Sequence, residues 1–171
     1  MAGPAACVLL PEAWAAGHIA AFHEWLASWL IAAGDNGWRT PSGGGPITVE
    51  VGARESEDAD EATGLRRALG YLPGTEIVLA AAVNGPDDHR FLAELAVATA
   101  RRYDGVIDLD GLLPAGGPDW KERSRATIRA LPGRWHEIPY RTAWGGAAAY
   151  HVVDPDLLAA WLKHPGFGMV K

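Results

Sequence analysis

Apolar residues recur along this chain in two alternating rhythms, and the change between them marks out its elements. "ACVLLP" opens as a short apolar strand, residues 5–10. Pro11 and Glu12 then suit a helix start, since proline is tolerated and an acid favoured in a first turn. Ile19, Phe22, Leu26, Trp29 and Leu30 follow at three- and four-residue spacing and form one apolar stripe. The pattern predicts that this helix runs until Gly34 and "GDNG" stop it. "TPSGGGP" reads as a loop, and "ITVEV" (47–51) alternates like a strand with one buried face.

The segment from Arg54 to Gly74 starts acidic and continues as a short helix ended by Gly70 and Pro73. "TEIVLAAAV" (75–83) has no polar interruption after Glu76, the pattern of a central strand covered on both faces. Asp87 is placed to cap the next helix, whose inward stripe is Leu92, Leu95, Ala96, Thr99 and Tyr103. "GVIDL" (105–109) is the following strand. The predicted fold is α+β: a ferredoxin-like β-α-β-β-α-β core with two helices on one face of an antiparallel sheet. A C-terminal addition comprises the helix "KERSRATIRAL", the strand pair "RWHEIPY" and "AAAYHVV", and a last helix capped by Asp154 with Pro155 in its first turn.

A length of 171 residues suits one domain, burying roughly 70% of its unfolded surface. The net charge of -6 argues against nucleic acid and an anionic membrane surface as partners, because both call for a Lys/Arg surplus. It suits a protein partner with a basic surface. The single cysteine, Cys7, permits no internal disulfide, and with the absence of a basic leader it points to the cytoplasm. The apolar stretch from Trp14 to Ala33 carries His18, His23, Glu24 and Ser28, so it reads as a soluble helix with one buried face rather than a membrane span.

Candidate chemistry is sparse. Asp108 and Asp110 lie two apart and point to one face, away from the helices if Ile107 and Leu109 face them. A metal site needs further ligands that the spacing does not supply, which leaves a solvated strand end turning at Gly111. The six histidines form no metal-ligand spacing. His89, beside Asp87 and Asp88, is open to a proton-transfer role or to a capping or surface role. Neither a GxSxG elbow nor a phosphate loop is present, and Cys7 in an apolar strand reads as inert packing. No cofactor is expected.

Two features speak for binding. Among eight tryptophans, Trp38, Trp120 and Trp144 stand beside Gly, Asp or Arg in loops, where an indole is hard to bury. The run "ESEDADE" holds five acids in seven residues: Glu55, Glu57, Asp58, Asp60 and Glu61. It reads as a solvated helix start or as an electrostatic match for a basic surface.

The block "LGYLPGTEIVLAAAVNGPDDHRFLAELAVATARRYDGVIDLDGLL", residues 69–113, resembles the centre of a family of small bacterial proteins with no established activity. The tail "YHVVDPDLLAAWLKHPGFGMVK", residues 150–171, is similar to tails in that group and to some immunity proteins of bacterial polymorphic-toxin systems. The resemblance implies no catalytic residue. It implies a toxin-neutralising protein, monomeric or homodimeric. The surface expected to meet the partner comprises Trp38, Glu55, Glu57, Asp58, Asp60, Asp87, Asp88, His89, Asp108, Asp110, Trp120 and Trp144. The competing expectation is a small enzyme or ligand- or metal-binding domain with Asp108, Asp110 and His89 around a pocket.

Overall fold

A computed structural model describes residues 3–33, 37–41, 45–54 and 58–170. The strands are β1 (Ala5–Leu10), β2 (Ile31–Ala32), β3 (Gly37–Arg39), β4 (Pro46–Gly52), β5 (Thr75–Ala81), β6 (Val106–Asp108), β7 (Trp135–Arg141) and β8 (Ala147–Val153). The helices are α1 (Ala16–Leu26), α2 (Ala59–Leu69), α3 (Pro86–Arg102), α4 (Trp120–Ala130) and α5 (Pro155–Trp161). All eight strands join one antiparallel sheet in the order β2-β3-β4-β5-β1-β6-β8-β7. The protein is α+β, as the alternating rhythms predict.

Alternation in the strands divides the core. Ala6, Val8 and Leu10 of β1 pack with Ile77, Leu79 and Ile107 against Phe22 and Leu26 of α1, Leu92, Leu95 and Ala96 of α3, and Leu157, Leu158 and Trp161 of α5. Ile128 of α4 joins the same cluster. Leu9, Ile138, Tyr150 and Val152 point the other way and are covered by Leu65 of α2. The two core helices, α1 and α3, share the first face, while α2, the short helix between them, lies on the second. It covers the β1-β6-β8-β7 side of that face, so Val78 and Ala80 of β5 are only half-buried there, not covered on both sides as the apolar run implied.

The first helix also departs from its pattern. Residues 11–15 form a link, tied down where the Thr75 hydroxyl donates to the Glu12 carbonyl and accepts from the Trp14 amide, both at 2.8 Å. The helix ends at Leu26, although Leu30 remains buried. Ser28 N–H and Trp29 N–H bond the carbonyls three residues back, and the Ser28 hydroxyl takes the Trp25 carbonyl. Local side-chain competition of this kind tightens and ends a helix. The chain then enters β2 and β3, which the apolar stripe concealed. At α3 the N-cap is Gly85 rather than Asp87, and the Asp88 carboxylate accepts from the Gly85 amide at 2.9 Å.

α2 sits close to the sheet because it carries a glycine at the crossing. A Cβ at Gly64 would stand 3.2 Å from both Ile138 Cγ2 and Pro139 Cδ. Glycine costs a helix interior about 1 kcal/mol, which the close approach offsets. Gly64→Val should therefore lower stability by roughly 1–3 kcal/mol through overpacking, read as a lower urea midpoint. An unchanged midpoint would show that α2 does not press on β7.

Candidate functional site

The most exposed large side chain lies at the tip of the β7–β8 hairpin. Thr142 N–H bonds Gly146 O and Gly145 N–H bonds Thr142 O, both at 2.8 Å, and Gly145 adopts φ +76°. This is a three-residue turn whose left-handed position calls for glycine. Trp144 stands in it with 96% of its surface open. β8 pairs with β6 at Val152 and Val153, and His151 adds backbone bonds to Leu109 and Gly111, so residues 147–149 and the turn run beyond the rest of the sheet.

One helix flanks the overhang and another meets the strand pair below it. On the second face the Asp58 carboxylate caps α2, accepting from Asp60 N–H at 2.8 Å and Glu61 N–H at 2.9 Å. Its other oxygen accepts from Arg141 N–H at 2.8 Å, clamping the helix start to the end of β7. Asp60 and Arg141 form an exposed pair at 3.4 Å. On the first face Arg125 of α4 grips Glu137 through two bonds of 2.8 and 2.6 Å. Trp120, 40% exposed, opens α4. Asp58 and Asp60 thus lie beside the end of β7, next to the Trp144 turn.

β7 is an edge strand, yet a poor one for pairing. Arg141 N–H points away from β8, and alternate residues do the same, so Pro139 occupies an outward position and offers no donor. Strand addition is blocked there. Beside it runs a groove of about 390 Å³ between α2 and β7, lined by Asp60, Thr63, Gly64, Arg67, Ile138 and Pro139 among others.

The other expected residues are placed elsewhere. Trp38 lies in β3, near the opposite edge, half-buried against the core with its ring 6.3 Å from His23. Asp87 is exposed, Asp88 is half-buried at the start of α3, and Glu55 and Glu57 lie outside the described residues. His89 is buried rather than on the surface: Nδ1 accepts from Met169 N–H and Nε2 donates to Asn84 Oδ1, both at 2.8 Å. It fastens the C-terminal tail to α3.

Asp108 is likewise no solvated strand end, being 4% exposed. It faces the α2 side while His89 belongs to the α3 side, so the expected Asp108–Asp110–His89 pocket does not form. Instead Arg54, 13% exposed, meets Asp108 at 3.3 Å, Glu61 at 2.6 Å, Glu76 and the Tyr150 hydroxyl. Tyr150 O–H donates to Glu61 at 2.7 Å. Burial pushes Asp108 up to about 7, with Arg54 opposing the shift. Burial also raises Asp110, Tyr150 and the neighbouring Cys7 thiol. Burial disfavours the Arg54 charge, but Asp108 and Glu76 outweigh it. This hub ties α2 to β4, β5, β6 and β8. No pattern in the sequence announced Arg54, Glu61, Glu76 and Tyr150 as one group, because they lie far apart along the chain.

Among the described residues, no cluster of three or more His, Cys, Asp or Glu is arranged to hold a metal ion. No helix among them is long and apolar enough to cross a membrane. Compared with known proteins, the chain matches a model for a family of unknown function over residues 2–171. No curated protein and no solved structure matches it.

Two outcomes follow from the hub. Arg54→Met leaves carboxylates buried without their cation and should cost about 3–5 kcal/mol, measured by urea unfolding; a loss below about 1 kcal/mol would mean the hub holds little. The Asp108 carboxyl titrates at about 7 when folded against 3.8 ordinarily. Folding takes up a proton between those values, so its contribution is fully present below the lower one and lost as pH rises through the higher. Asp108→Asn cannot titrate and should gain on wild type from pH 4 to 7; parallel stability curves would contradict the burial argument.

Proposed function

The chain belongs to that family, DUF6368, whose description carries no activity, and from the hairpin end we propose that it is a protein-binding domain that docks through its Trp144 turn. The observation that carries this reading is the 96% exposure of Trp144 on a turn held by three hydrogen bonds to Thr142 or Gly146. Burying an indole removes about 150–250 Å² from water, roughly 4–6 kcal/mol before the costs of association. A rigid turn loses little entropy on docking, which is the property of a hot-spot anchor. Pro139 favours insertion of the turn into a partner's pocket over strand pairing.

The specific form we propose is an immunity-type protein of the cytoplasm, neutralising a toxin whose surface is basic. Its support is the net charge of -6 and the presence of Asp58 and Asp60 beside Arg141 at the foot of the turn; the family match itself says nothing of immunity proteins. The ferredoxin-like description of the core belongs to the same set of proposals and is supported by the strand order β4-β5-β1-β6.

The test is titration calorimetry with the product of an adjacent toxin-like gene. A complex is expected at micromolar concentration, and Trp144→Ser should weaken it by roughly thirty-fold or more. Its melting temperature should match wild type, since the indole supports nothing in the fold. A complex indifferent to Trp144→Ser would defeat the reading.

A further inference from the structure

The molecule carries both an unburied knob and a groove of mixed polar and apolar lining, and within one chain the two do not meet. The groove's α2 wall is the stripe Asp60, Thr63, Gly64, Arg67 and Ala68, a single helical face, and its strand wall includes Ile138 and Pro139. Its volume of about 390 Å³ exceeds that of an indole and falls in the range of sites that hold one. Glycine at 64 keeps the floor low. Arg67 makes no ion pair among the described residues and stands on the groove's rim, where a guanidinium can lie over an inserted ring.

We infer that this groove receives the Trp144 turn of a second copy of the chain. The inference rests on the reading that Trp144 is a docking residue and names what covers it before any other partner does. The geometry is that of an isologous pair. From the groove centre at Ile138 and Pro139 to the turn is about five residues of strand, roughly 17 Å. Two hairpins lying antiparallel along their β7 edges, related by a two-fold near Arg141, bring each turn to the other's groove. Near that axis each copy presents Asp60 and Arg141, 3.4 Å apart and about two-thirds exposed. The two-fold sets each Arg141 against the opposite Asp60, so the charges are self-complementary. Pro139 keeps the edges from fusing into one continuous sheet, which leaves an association held by side chains. Two indoles cover roughly 400 Å² between them, below the 800 Å² per partner of a standard interface, so the pair is weak and concentration-dependent.

Sedimentation velocity over a concentration series reads this directly. Wild type should shift from monomer to dimer in the micromolar range. Trp144→Ser removes the knob, and Thr63→Arg, at an exposed position, fills the groove; each alone should raise the dissociation constant by at least tenfold. The deciding arm mixes the two variants. One keeps a free groove and the other a free knob, so the mixture should recover a heterodimer that neither variant forms with itself. A wild type that stays monomeric to about 0.5 mM, a Trp144→Ser dimer as tight as wild type, or a mixture that recovers nothing would each overturn the inference. A monomeric wild type that nonetheless loses its toxin complex on Trp144→Ser would leave the docking reading intact, whereas a toxin complex indifferent to that change would remove the docking reading whatever the dimer does.

Discussion

One guanidinium holds the second face of this protein together. Arg54 leaves the end of β4 and meets acids from α2, β5 and β6 and a hydroxyl from β8. A charge taken out of water in this way is costly unless its partners are close and hydrogen-bonded. Here Tyr150 and the Asp110 amide supply the extra bonds, the first to Glu61 and the second to Asp108 at 2.8 Å. The acids outnumber the cation, and burial, with smaller contributions from Asp110 and Glu76, shifts Asp108 upward against the pull of Arg54. Such a network adds little net stability over an apolar core, but it fixes where α2 lies.

The position of α2 decides the shape of the candidate site. With Glu61 held by Arg54 and Tyr150, the helix start falls beside Arg141, and Asp58 can cap the helix and clamp the strand at once. Gly64 then settles on Ile138 and Pro139, leaving the groove along the helix flank. α4 braces the opposite side through Arg125 and Glu137. A hairpin that overhangs its sheet would ordinarily be mobile; this one is clamped to the start of α2 through Asp58 and Arg141, so its turn is presented in a defined direction.

The sequence made the core legible where a single periodicity governed it. Leu92, Leu95 and Ala96 repeat on one side of α3 and are buried there, and Asp154 with Pro155 opens α5 as expected, accepting from Leu157 N–H at 2.9 Å. It failed where a stronger local or distant interaction intervened. Leu30 continues the α1 stripe and is buried, but the Ser28 hydroxyl and the tightened turn end the helix before it. Asp108 looked like a strand end at water because nothing nearby in sequence reveals Arg54, 54 positions away, as its partner. His89 looked like a surface histidine because its partner is the amide of Met169, 80 positions on. Periodicity reports which face is buried; it does not report which polar group will be waiting there.

The three loop tryptophans show the same division. Trp38 stands between glycine and arginine in sequence, yet β3 pairs with Ile47 of β4 and turns the indole toward the core. Trp144 is followed by Gly145, but its strand pair runs past β6, and among the described residues nothing covers the indole. A glycine beside the indole therefore goes with opposite fates, decided by how far each hairpin extends beyond its neighbours. An indole that packing could have hidden by shortening one hairpin, but that the fold carries outward on a braced turn, is better explained by something it touches outside the chain than by the chain's own stability.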